Sequence, residues 1–233
     1  MNKRGFTLVE IAIVLVIVGL LLAAVLKGQE LVTQGKVKGT IADFNGVLTA
    51  FNGYQDRYKA IPGDDSGAAT RWPANAFGSN SVVAVNGNGD GIINQSTAGI
   101  AYSVNSTDAP PTTSAPEAGL FWQHLRAAGF YPGTQTGAGS VSLPNNSQGG
   151  TIGVENDTVS TAGIGMGGVL ICMTSIPEKI ASAVDKQIDD GSAISGSVRS
   201  LAATATTPNP NLTSAVPAAY APGSSYVMCR SAT

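Results

Sequence analysis

Oxygen-bearing side chains alternate with glycine in Asn86-Gly87-Asn88-Gly89-Asp90-Gly91-Ile92-Ile93-Asn94. The run follows the first nine positions of an EF-hand-type calcium loop. Side-chain oxygens stand at positions 1, 3 and 5 (Asn86, Asn88, Asp90), a turn glycine at 6, a backbone carbonyl at 7 (Ile92) and a further ligand at 9 (Asn94). Position 12, where a bidentate Glu usually closes the shell, falls on Thr97. Asp90 alone supplies charge, so an ion needs a second carboxylate from Glu117, Asp64 or Asp65. The same residues also read as an Asn-Gly turn, because Asn and Gly accept positive φ without any ion. The expectation is that no cofactor is required and that calcium is the ion to test.

Other reactive groups are few. One His and two Cys exclude a multi-His metal centre or a zinc ribbon. His124 stands in Phe121-Trp-Gln-His-Leu125 with no second His or thiolate nearby and reads as a packing or capping residue. Asp189-Asp190 reads as an exposed helix end. No Gly-x-Ser-x-Gly elbow occurs in a strand-to-helix setting. The chain is therefore expected not to be an enzyme. From Ile61 onward six basic residues face eleven acidic ones, a balance of −5 that opposes phosphate binding, so no nucleic-acid partner is predicted.

The one remaining ionisable group of note is Glu10. Between Phe6 and Leu26 it is the only one, in a run of about 20 apolar residues, enough to cross a bilayer as a helix. Lys3 and Arg4 precede the run and no cation follows until Lys27, which places the leader on the cytoplasmic side and the rest outside. Leu22-Leu-Ala-Ala-Val-Leu-Lys27 is a poor signal-peptidase site, and the apolar helix runs straight into another helical pattern. A carboxylate at this depth is costly and faces a protein partner or a polar path, or else snorkels to the headgroups.

Lys3-Arg4-Gly5-Phe6-Thr7-Leu8-Val9-Glu10, followed by uninterrupted apolar sequence, resembles the class III leader of type IV pilins and type II secretion pseudopilins. The resemblance implies cleavage by a prepilin peptidase between Gly5 and Phe6, and N-methylation of Phe6. It gives Glu10 an assembly role, pairing with the free amine of a neighbouring subunit. It also implies an inner-membrane assembly platform, a homo- or hetero-oligomeric filament with other pilins, and single-pass residence in the inner membrane before assembly. The final location would be a pilus at the cell surface or a periplasmic pseudopilus.

Beyond Lys27 the pattern turns amphipathic. Val37, Ile41, Phe44, Leu48, Phe51, Tyr54 and Tyr58 recur at steps of four and three, predicting a stripe against a globular head, with Pro62 ending the helix near Ala60. The expected organisation is a leader over 1–5, a membrane or filament-core helix over 6–27, its amphipathic half over 28–60 and an extracytoplasmic head over 61–233. Strand-like runs are 81–85, 91–93, 167–173, 196–201 and 226–230, with helices over 119–128 and 176–188, the latter capped by Ser175 with Glu178. Gly/Ser/Thr-rich stretches at 133–150 and 204–225 read as loops. The fold class is α+β: a long N-terminal helix laid on a small antiparallel sheet.

Further segments are similar to a large-headed bacterial subgroup of prepilin-type proteins. They are Tyr54 to Tyr58, Ile61-Pro-Gly-Asp-Asp65, Gly87 to Ile92, Glu117 with Phe121 to Leu125, and Lys186 to Gly191 with Gly196 to Arg199. Cys172 and Cys229, both in the exported half, most simply form one disulfide; two buried thiols are the alternative. Many pilins staple the C-terminal part of the head in this way, in keeping with the first reading.

Overall fold

The computed structural model of the chain describes residues 7–73, 84–93, 117–135, 140, 142–157, 164–203 and 217–232. Helix α1 (Leu8–Tyr58) has 51 residues, which at 1.5 Å each gives about 76 Å. Its start is a capping box: the Glu10 N–H donates to Thr7 Oγ1, and the Glu10 carboxylate accepts from the Thr7 N–H. Its stop is Lys59, in the left-handed conformation at φ 53°, whose N–H donates to the Gln55 carbonyl at 2.8 Å. The chain then needs three further residues to reach Pro62, so the helix ends just short of the expected Ala60.

The predicted stripe is the face that packs. Val37, Phe44, Phe51 and Tyr54 are buried, and Ile41, Leu48 and Tyr58 lie half-buried against the same core. Helix propensity alone would not hold this half, since Gly46 and Gly53 each weaken it by about 1 kcal/mol relative to Ala. Burial of the stripe supplies the difference.

Against α1 lie α2 (Ala68–Arg71), α3 (Glu117–Ala127) and α4 (Glu178–Ile188), with four strands: β1 (Ile152–Asp157), β2 (Gly168–Pro177), β3 (Val198–Ala203) and β4 (Ser225–Ser231). The strands form one antiparallel sheet in the order β1-β2-β4-β3. Alternation along the strands splits the core between two faces. Val154, Ile171, Met173, Val198, Tyr226 and Met228 join the main core with the α1 stripe. Leu170, Cys172, Leu201, Val227 and Cys229 point to the other face, beneath Ile164.

The α+β architecture stands as expected, with differences in detail. Strand β1 has no counterpart among the predicted runs. Residues 91–93 are a bend, not a strand, and 81–83 lie outside the described residues. Ser175 does not cap α4. It sits at φ 61° inside an irregularity of β2, where the register shifts between Met173 and Ile176. Pro177 takes the N-cap position instead, and β2 keeps pairing up to that residue because Ile176 and Pro177 face Tyr226 and Ser225. The expected strands near 196–201 and 226–230 appear as β3 and β4.

Candidate functional site

Two regions carry chemistry, and the first is the exposed half of α1. No described residue of the head buries it: every described residue from Thr7 to Val32 is exposed, Leu8 by 91% and Leu20 by 68%. The helix is long and apolar enough here to cross a membrane. Glu10 is the sole acid between Thr7 and Leu26. Its Oε2 accepts from both the N–H and the hydroxyl of Thr7 at 2.8 Å, so the carboxylate lies close to the start of the helix. An acid in the first turn is also favoured by the helix dipole. Gly5 and Phe6 lie outside the described residues.

The second region is a junction of three segments: the turn Ile61 to Asp65, the loop Ala84 to Ile93 and the N-terminus of α3. Asp64, Asp90 and Glu117 come together there, each with a carboxylate oxygen within 4.8 Å of the other two. Asp64 and Glu117 are buried and Asp90 is exposed. The loop folds around the buried acids through its own N–H groups. Asp64 Oδ1 accepts from Gly89 at 2.6 Å and Asp90 at 3.0 Å, its Oδ2 accepts from Gly91 at 2.9 Å, and Glu117 Oε1 accepts from Asn88 at 2.9 Å. The approach is so close that a Cβ on Gly87 would strike the Asp64 backbone, and one on Gly63 would lie 2.6 Å from the Glu117 carbonyl oxygen.

The predicted ligands divide. Asp90 and Glu117 meet, joined by Asp64. Asn88 is adjacent, its Oδ1 accepting from the Asp90 N–H and its amide donating to Asp90 Oδ2. Asn86 turns the other way, its Oδ1 accepting from the Ala69 N–H at 2.7 Å. The Ile92 N–H donates to Asp90 Oδ1, and Asn94 lies outside the described residues. A carboxylate offers about four lone-pair sites, so three N–H bonds on Asp64 leave it one acceptor position. Hard oxygen donors with net negative charge suit Ca²⁺ in kind. The set fits a weak site.

Behind the junction, His124 ties it to the core. Its Nδ1 accepts from the Gly63 N–H at 2.9 Å and its Nε2 donates to the Val85 carbonyl at 2.7 Å, while Gln123 Oε1 accepts from the Val85 N–H. Complete burial, the main cause, with Arg71 nearby, pushes its pKa down to about 4. Asp65 faces the other way, accepting from Tyr54 Oη at 2.6 Å and pairing with Arg71, whose guanidinium lies over the rings of Tyr58 and Trp72. Sequence reasoning missed this scaffold; its signal was the aromatic spacing Tyr54, Tyr58 and Trp72 around Asp65.

Past α4, Asp189 accepts from the Val198 N–H, and Asp190 accepts from the Ser192 N–H and the Ser195 hydroxyl. These acids shape the turn into β3. On the outer sheet face Cys172 and Cys229, opposite each other on β2 and β4, form the disulfide, 57 residues apart in sequence.

A bare apolar helix with one acid near its start, joined to a small disulfide-stapled α+β head, is a build consistent with membrane anchoring through the N-terminal helix. Residues 1–26 match the family model described as the prokaryotic N-terminal methylation motif, a signature of type IV pilins and pseudopilins. No curated protein and no solved structure matches the chain.

Proposed function

We propose that this chain is a structural subunit of a type IV pilus-like filament. Prepilin peptidase removes residues 1–5, Phe6 becomes the methylated N-terminus, and the helix from Phe6 carries the subunit from the inner membrane into the filament. The observation that carries the reading is the methylation motif placed at the start of a helix that the head leaves bare. Such a helix is stable in only two settings, lipid or other helices. Glu10 serves assembly by pairing with the amine of a neighbour, giving up its bonds to Thr7. The role is structural, with no reaction to catalyse.

Intact mass and N-terminal sequencing of the chain from sheared surface filaments and from membranes test this. A chain beginning at N-methyl-Phe6 and abundant in filaments is expected. Processed chain confined to membranes would instead identify a secretion pseudopilin or rare subunit, and an uncut Met1 a membrane-tethered binding module. Glu10→Ala should abolish filament incorporation and leave membrane insertion intact.

A second reading concerns the head. The meeting of Asp64, Asp90 and Glu117 favours a weak Ca²⁺ site that locks the Ala84 to Ile93 loop. Calorimetric titration of the detergent-solubilised chain should give binding heat and a raised melting temperature with Ca²⁺, both lost in Asp64→Asn. No heat and no thermal shift in the unaltered chain would end this reading.

A further inference from the structure

Four Asn-Gly pairs occur in the chain: Asn45-Gly46, Asn52-Gly53, Asn86-Gly87 and Asn88-Gly89. Such a pair is open to reaction with itself, because a glycine N–H has no side chain beside it to shield its approach to the preceding amide carbon. What decides is how each N–H and each amide is held. In α1 the Gly46 and Gly53 N–H groups belong to the helix ladder, and the Asn45 amide oxygen accepts from Arg230. The Gly87 N–H donates to the Asp65 backbone carbonyl at 3.0 Å, which is no base, and the Asn86 amide is turned away to Ala69.

Asn88-Gly89 differs at all three reacting atoms. The Gly89 nitrogen lies 2.6 Å from Asp64 Oδ1, closer than its 3.0 Å contact with the Asp64 carbonyl, so a carboxylate stands on the proton that must leave. The Asp90 N–H donates to Asn88 Oδ1 at 2.9 Å, shared with Asp64 Oδ1 at 3.0 Å, and draws charge onto the amide oxygen as a donor at a forming oxyanion does. Asn88 Nδ2, the departing nitrogen, donates to Asp90 Oδ2 at 2.9 Å, and the Ile92 N–H holds the other oxygen of that carboxylate. Asn88 and Gly89 are exposed, so water reaches the pair.

We propose that Asn88 is a self-deamidation site, with Asp64 as the general base and the Asp90 N–H as the oxyanion donor. The Gly89 nitrogen forms a bond to Asn88 Cγ and gives its proton to Asp64. The Cγ–Nδ2 bond breaks, the proton returns through solvent to Nδ2, and ammonia leaves a five-membered imide. Water then opens the ring, at Cγ to give aspartate or at the backbone carbonyl to give the isoaspartyl link. One water is consumed, one ammonia is released and nothing is oxidised or reduced. This is a single event on the chain itself, with no separate substrate, and it rests on neither the filament nor the calcium reading. The product replaces an amide donor beside Asp90 with a carboxylate, so the exposed loop gains one negative charge and loses one hydrogen bond.

The test incubates freshly expressed full chain in detergent and ¹⁸O-labelled water, half of it native and half unfolded in urea. The four Asn-Gly peptides are then read by mass at intervals, and ¹⁸O uptake marks only what reacted during incubation. Asn88 should convert roughly tenfold or more faster in the native chain than in urea, whereas Asn45, Asn52 and Asn86 should be slower in the native chain. Asp64→Asn should remove the acceleration at Asn88, with the head disulfide and the melting temperature as folding controls. Asn88 converting no faster in the native chain than in urea would overturn the proposal on the unaltered protein alone, whether or not the variant folds. An Asp64→Asn chain that folds and still converts at the parent rate would overturn it as well.

Discussion

Acid should loosen the head through one imidazole. The native His124 is neutral because its Nδ1 must accept the Gly63 N–H while its Nε2 donates to Val85, and a protonated ring has no acceptor to offer Gly63. The unfolded chain takes up this proton near its ordinary 6.5, the native protein only near about 4. The unfolded state therefore binds the proton first as pH falls. The stability contributed is complete above 6.5, is lost progressively between 6.5 and 4, and is constant below. At 1.36 kcal/mol per pH unit the loss is about 3 kcal/mol. Urea unfolding of the full chain in detergent, followed by fluorescence of Trp72 and Trp122, would measure it at steps of pH. His124→Gln, which cannot titrate, should be less stable at pH 7 and show a pH dependence flatter by about that amount, with all carboxylates common to both chains. The chain holds one His, so a single imidazole signal follows the native titration directly by NMR. A native imidazole that titrates near 6.5, or a His124→Gln variant as pH-sensitive as the parent, would refute the reasoning.

Two further outcomes follow from the packing. Cys229→Ser should cost roughly 4 kcal/mol for a loop of 57 residues, read as a lower urea midpoint that reductant no longer changes. Gly87→Ala should lower stability by about 1–3 kcal/mol and release the Asn88, Gly89 and Gly91 amides to fast hydrogen exchange, because its Cβ meets backbone that cannot move aside. Unchanged exchange at those amides would show that the two loops do not approach as described.

What the sequence made legible was whatever repeats locally. The stripe from Val37 to Tyr58 is visible because seven residues share one helix face, and β3 and β4 because short apolar runs lie between turns. Strand β1 escaped notice because Gly153 and Glu155 interrupt Ile152, Val154 and Asn156, although that alternation was its signal. Ser175 with Glu178 has the spacing of a capping box, yet pairing with Tyr226 and Ser225 pulled the strand past it, a long-range contact that local spacing does not record. The acidic junction was partly legible: Glu117 and Asp64 were recognisable as completing partners for Asp90. That Gly63 and Gly87 permit the approach, and that Asn86 turns to Ala69, depends on how three separated segments dock. His124 read as a packing residue from its isolation, while its two backbone partners come from distant segments.

Strand β4 comes last in chain order among the strands and still lies inside the sheet, with β2 on one side and β3 on the other. β2 and β3 do not pair with each other, so they have no common framework until β4 is inserted. For a chain made N-terminus first, the head therefore has no complete sheet, and no partner for Cys172, until residues 225–231 have followed. On the anchoring proposed above, α1 moors the open chain to the membrane during that interval. Oxidation of the cysteine pair then marks the closing of the sheet by its last strand.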